Sequence, residues 1–332
     1  MQCNHGEKFC QPHSKKKVEK SINELGYKVN LLARGLKVKH THTIGVVLPD
    51  ITKIFFPNVL KGIETAAKKA GYRVNFLSSN FDFATEQESI EYLKASYVDG
   101  IIIDSCCKAE YLARWAGELA EENSGERFPV VSMEQVMDSS KISSVLADYQ
   151  RLSKAAAAHL IGQGKRNLLY IKVGKELTHG QERYQGYLDA LAENGIPFRS
   201  EFVLEADFSA LSAYEATKAA LGKGLCFDAI QTLNDQMAIG ALKALKEAGI
   251  AVPGQVAIAG CDNIFASTLV SPQITTIDLP KYELGYTAFE ELKRLMDGEG
   301  KTAPRSIILE AKLIVRQSTV ADQPGDWNLS MW

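Results

Sequence analysis

The chain has 332 residues, 45% of them hydrophobic, enough for two globular lobes each with its own core. No run approaches the ~18 to 20 apolar residues that span a bilayer, and the opening MQCNHGEKFCQPH lacks the apolar stretch of a secretory signal. A cytoplasmic protein with no membrane partner is expected. The six cysteines (Cys3, Cys10, Cys106, Cys107, Cys226, Cys261) are scattered and show no extracellular disulfide framework. The net charge of −2 hides an uneven distribution: between Ser14 and His42 eight Lys/Arg face only Glu19 and Glu24, giving +6 there and −8 elsewhere. A short basic arm on an acidic body points to a polyanion partner at one end, although charge alone would equally describe a solvated helix.

The basic arm opens with Val18, Ile22 and Leu25 at helical spacing behind Ser14, which suits an N-cap. Then come Asn30, Ala33 and Leu36, spaced three apart. From residue 43 onward, apolar runs at 44–48, 74–77, 101–103, 130–131, 168–171, 229–233 and 256–259 read as strands. They alternate with helix-period segments at 59–70, 87–95, 111–120, 152–161, 184–191, 213–221 and 237–248. Short strands buried on both faces with helical crossovers predict α/β architecture with parallel sheets. Gly71, Gly195 and Gly249 each follow a helical segment, where a left-handed cap is expected. The alternation runs twice, pausing at 137–144, so two similar doubly wound lobes are predicted rather than one sheet of a dozen strands. Ligands of such sheets bind beyond the carboxyl ends of the strands, which places a site between the lobes. The tail after Thr319 has no leucine heptads and gives no support for a coiled coil.

Eight motifs stand in one order along the core: IGVVLPD (44–50), VDGIII (98–103), AAAAHLIGQGKRNLLYI (155–171), ERYQGYLDAL (182–191), LNDQMAIGAL (233–242), IAGCDN (258–263), SPQITTI (271–277) and LIVRQST (313–319). Together with the segment from Ser14 to Asp50, they resemble the lactose-repressor (LacI/GalR) family across nearly the whole chain. The resemblance implies a periplasmic-binding-protein-like core of two parallel-sheet lobes behind a short helical and hinge segment. It divides the chain into a leader (1–13), a remnant headpiece helix and hinge (14–40), an N-terminal lobe (41–147 with 280–305), a C-terminal lobe (148–279 with 306–320) and a tail (321–332). It also implies a repressor-type transcription regulator, a homodimer that couples a small carbohydrate effector to operator DNA and needs no cofactor or metal.

By the resemblance, Asn30 starts a hinge helix, Leu36 is the wedge between base pairs of the minor groove, and Ala33 lies beside it. Val29 stands where the family usually has proline. The 13 residues before Ser14 do not resemble the family's two groove-reading helices. Weak DNA binding with little sequence preference is therefore the expectation for this chain.

The resemblance also implies effector contacts from Phe55, Phe56, Arg183, Phe208, Asn234 and Asp262, with Asp50, Glu134 and His179 as secondary candidates. The chemistry suits a hydroxyl-rich ligand: Arg183 donates in a fork, Asp262 accepts from two hydroxyls, Asn234 does both, and Phe208 offers an aromatic face. Each has a plainer reading. Asn234 is placed as an N-cap, Phe55 and Phe56 as core, and Arg183 as a surface charge.

An enzyme is not expected, since there is no nucleophile elbow, phosphate loop, dinucleotide fingerprint or H-E-x-x-H. Cys3, His5, Cys10 and His13 fit no zinc spacing. Two other readings remain: a transporter's solute-binding protein, which would need a secretory leader and no basic hinge, and a sensor that has lost DNA binding.

Overall fold

The computed structural model describes Lys17, Lys20, Ser21, Glu24 and residues 40–325, apart from 108–111, 121–127, 136, 138–139, 175–179 and 299–301. The chain forms two units, Met1–His42 and Thr43–Trp332. In the first, Lys17, Lys20, Ser21 and Glu24 are helical, and Lys20 lies 3.7 Å from Glu24 one turn on. Both side chains are solvated, so this pair contributes little. Asn30, Ala33, Leu36 and the leader's cysteines and histidines lie outside the described residues.

The second unit starts with β1 (Thr43–Leu48), α1 (Phe56–Lys69), β2 (Arg73–Ser78), α2 (Phe83–Ala95), β3 (Ile101–Ile103), α3 (Leu112–Ala120), β4 (Val130–Met133) and β5 (Ser143–Ala147). It continues with α4 (Tyr149–Gly162), β6 (Leu168–Val173), α5 (Gln181–Glu193), β7 (Val203–Ala206), α6 (Ala210–Gly222), β8 (Ala229–Thr232), α7 (Asp235–Glu247), β9 (Ala257–Cys261) and α8 (Ala266–Leu269). It closes with β10 (Thr275–Asp278), α9 (Lys281–Asp297), β11 (Ser306–Leu309) and β12 (Lys312–Ile314). One sheet has the order β2-β1-β3-β4-β5-β11 and the other β7-β6-β8-β9-β10-β12. The two orders are the same, so the repeat read from the sequence is a repeat of topology. Every described pairing is parallel except β10 with β12.

The central strands are buried on both faces, as continuous apolar runs such as Ile101–Ile103 require. Strand β2, on the edge, has only exposed and half-buried positions. Gly71, Gly195 and Gly249 have φ of 78°, 65° and 71°, the left-handed conformation expected after a helix. The helices pack in pairs, α1 with α9, α4 with α5 and α6 with α7, and glycine sets how closely the axes approach. A Cβ on Gly285 would stand 1.9 Å from the Val59 carbonyl oxygen, and one on Gly240 1.9 Å from that of Ala210.

The chain crosses between sheets after β5, after β10 and after β11. The last crossing differs from expectation. Residues 306–309 belong with the first sheet, since Ser306–Leu309 runs parallel to β5 with Ile307 opposite Val145. Arg305 anchors this strand by donating to Glu291 at 2.9 Å and, through its N–H, to Ser143 Oγ at 3.1 Å. The pause at 137–144 also ends inside the first sheet, because β5 already begins at Ser143.

Candidate functional site

In both sheets the strand order reverses beside the first strand, between β1 and β3 and between β6 and β8. A ligand crevice in an open parallel sheet lies at such a switch point. Here the loops beyond these strand ends come together around one cavity of about 220 Å³ between the lobes. Pro49, Lys53, Phe55 and Phe56 enter it after β1, Phe81 after β2, Asp104 after β3, and Glu134 and Gln135 after β4. The other lobe supplies Gly180, Gln181, Glu182 and Arg183 at the start of α5, Phe208 after β7, Asn234 and Gln236 around the start of α7, and Asp262 after β9. Tyr149 enters from the first crossover.

Arg183 organises the polar side. It lies 3.2 Å from Glu134 of the opposite lobe, donates to the Leu233 carbonyl at 3.2 Å, and sits 4.3 Å over the Tyr149 ring. Burial is the largest influence on it and opposes its charge, but the surrounding Cys261, Tyr149, Asp262 and Glu134 outweigh that and raise the guanidinium above its ordinary range. Tyr149 donates its hydroxyl to Glu134. Burial pushes the Glu134 carboxyl up to about 7 although Arg183 pulls it down. Asp262, with φ of +104°, is likewise raised by burial to about 6 against Arg183 and Lys281. Its backbone is tied down separately: its N–H donates to the Ile277 carbonyl at 2.9 Å, and its carbonyl accepts from buried Lys281.

Asn234 fulfils its plainer reading as well as lining the cavity. Its Oδ1 accepts from Met237 N–H at 2.8 Å as the cap of α7, and its Nδ2 donates to the Phe208 carbonyl at 3.1 Å. One amide hydrogen is left over for a ligand. Phe55 and Phe56 also fill both roles, meeting edge to face at 5.3 Å within the first core while facing the cavity. Phe208 departs from expectation, because one face is already taken: its ring stacks on Phe81 with centroids 5.1 Å apart and planes 16° from parallel.

Asp50 is not among the lining residues. It shapes the turn after β1 instead, accepting from the Thr52 N–H and hydroxyl at 2.9 and 2.7 Å and pairing with Lys53 at 3.5 Å. His179 lies outside the described residues. The sequence reading missed Phe81, Asp104, Gln135, Tyr149 and Gln236. Asp104 had a signal, as the first polar residue after a fully apolar strand. Tyr149 had none, because its place depends on where the chain changes lobes.

Behind the wall, Asp235 is fully buried and accepts from Thr276 Oγ1 at 2.6 Å and Ile264 N–H at 2.9 Å. Gly260 leaves room for it, since a Cβ there would lie 2.3 Å from its Oδ1. Burial, with Asp262 adding repulsion, pushes Asp235 up to about 8. The folded protein therefore binds a proton that the unfolded chain has released, and stability falls as pH rises between the ordinary carboxyl range and about 8. Asp235→Asn mimics the protonated acid, accepting from Ile264 and donating to Thr276. The variant's melting temperature is expected to gain on the wild type as pH goes from 5 to 9. A constant difference across that range would show that Asp235 does not titrate there.

Two lobes of one topology, joined by three crossovers around a cavity of mixed polar and aromatic lining, define a two-lobe protein with a cleft for a small ligand. A model of the periplasmic binding protein-like domain matches residues 157–319. Catabolite control protein A of Priestia megaterium is 33% identical over 320 residues, covering 95% of this chain and 93% of that protein. The chain belongs to the LacI/GalR family of transcription regulators. Among solved structures, the lac repressor dimer bound to operator and the anti-inducer ONPF has a TM-score of 0.81 at 23% identity, covering 94% of this chain and 91% of that one. A LacI-family regulator from Enterococcus faecium with bound ribose has a TM-score of 0.70 at 26% identity, covering 83% of this chain and 98% of that one.

Proposed function

We propose that this regulator is a cytoplasmic homodimeric repressor whose cleft binds a small carbohydrate or related polyol, contacted by Arg183, Asp262, Asn234, Glu134, Phe55, Phe56 and Phe208. The observation that carries this reading is the convergence of Arg183, Glu134 and Asp262 with several aromatic rings on one cavity. Fork donors and carboxylate acceptors suit paired hydroxyls, and rings suit the C–H face of a sugar. The ribose bound to the Enterococcus faecium regulator supports the same choice.

The lobes are the levers. A ligand held from both sides stabilises the closed arrangement by its differential affinity, and that bias reaches operator DNA through the dimer and the hinge at Asn30, Ala33 and Leu36. No bond is made or broken. Among the described residues no helix is long and apolar enough to cross a membrane.

A thermal-shift screen across pentoses, hexoses, disaccharides and sugar phosphates tests the reading. A ligand at a hundred times its Kd adds about 2.7 kcal/mol, a rise of roughly 5 to 11 °C for a core of this size. Silence across the whole panel would refute a carbohydrate effector.

A further inference from the structure

The Phe81–Phe208 stack joins loops of opposite lobes: Phe81 follows β2 of the first sheet and Phe208 follows β7 of the second. These are equivalent places in the two repeats, since β2 and β7 are the corresponding edge strands. Both residues have positive φ, 58° and 67°. A bulky side chain rarely adopts that conformation, and it persists only where the surroundings impose it. Here both strained residues meet in a single contact. Phe55, Phe56, Asp104, Tyr149, Asn234 and Asp262 are buried in the cavity wall, whereas Phe81 and Phe208 are half-buried. Because β2 and β7 are edge strands, the stacked pair bars one side of the cleft between the lobes.

We infer that the Phe81–Phe208 pair is an aromatic roof that limits the effector to a single sugar ring, and that Phe81 is the residue that sets this limit. This rests on the carbohydrate reading of the cleft. A cavity of about 220 Å³ lies at or below the small end of ordinary ligand sites. A second ring linked to the first meets the stacked pair on that side of the cleft. Phe208 is held from below by Asn234, whose amide donates to its carbonyl. Phe81 is held through its backbone N–H, which donates to the Pro49 carbonyl at 3.1 Å. Removing the Phe81 ring therefore opens the roof while its loop stays anchored.

Calorimetry on matched pairs, glucose with cellobiose and maltose, galactose with lactose, and ribose with ribosyl disaccharides, tests this on the wild type, Phe81→Ala and Phe81→Asn. Asparagine tolerates positive φ, so that variant removes the ring without adding backbone strain. The wild type is expected to bind a monosaccharide at least tenfold tighter than any disaccharide containing it. Both variants should bind that disaccharide at least tenfold tighter than the wild type does. A wild type that takes a disaccharide as well as its monosaccharide overturns the roof and leaves the carbohydrate reading intact. So does an unchanged preference in both variants, with native circular dichroism. A wild type that binds no sugar overturns the carbohydrate reading and the roof with it.

Discussion

Asp262→Ala is expected to lower effector affinity at least about thirtyfold, measured by calorimetry with any sugar the wild type binds. Truncating one partner of a buried, charged hydrogen bond typically costs on the order of 2 to 5 kcal/mol, and about 1.4 kcal/mol is a tenfold change in Kd. The side chain qualifies because the residue is only 7% exposed and lines the cavity. Its backbone makes its own bonds to Ile277 and Lys281, separate from the carboxylate's interactions with Arg183 and Cys261. Truncation should therefore weaken binding without dismantling the wall. Asp262→Asn separates charge from shape. Asparagine suits positive φ and keeps one acceptor, so an intermediate loss is expected. Unchanged affinity in the alanine variant, with an intact fold, would remove Asp262 from the site.

Much of this site was legible because the family resemblance points to the strand ends. Asp262 follows the apolar run of β9 and Asn234 the short mixed strand β8, and a polar residue beyond a buried strand is placed to face the crevice. Phe81 was not legible. Nothing in SSNFDF marks it, since its importance lies in a partner 127 positions away in the other repeat. The fold shows the same division. Of the buried strands, β1, β3, β4, β6, β8 and β9 were visible as apolar runs, while the equally buried β5 and β10, which open on serine and threonine pairs, and the edge strands β7 and β11, half-solvated and mixed in composition, were not marked. The 17-residue helix α9 was also passed over. Its inner face carries Lys281 and Glu291, charges that periodicity alone assigns to solvent. The first has backbone carbonyls of the β9–β10 region to bind, and the second has Arg294, Arg305 and Ser143. Such partners are matters of tertiary structure.

That same helix carries the second large effect. Gly285→Val is expected to destabilise the core by about 3 kcal/mol or more, at the upper end of what overpacking costs, a fall in melting temperature of roughly 6 to 12 °C. The α1–α9 pair is closed by two glycines facing opposite backbones. A Cβ on Gly285 would lie 1.9 Å from the Val59 oxygen, and one on Gly62 2.1 Å from the Tyr282 oxygen. No rotamer change relieves a clash with a carbonyl, so the helices must separate. Ile63, Leu284, Ala288 and Phe289, buried at this contact, would then lose their packing. Gly285→Ala is the sharper test because two effects oppose each other there. Alanine favours a helix over glycine by about 1 kcal/mol, which alone would raise stability. The 1.9 Å approach should reverse that sign. Gly222, at the end of α6, has nothing within 4 Å of its Cβ position, so Gly222→Ala should leave the melting temperature unchanged or slightly raised. If Gly285→Ala melted at or above the wild type, as Gly222→Ala should, close backbone approach would not be what fixes α9 on α1, and with it the floor of the first lobe.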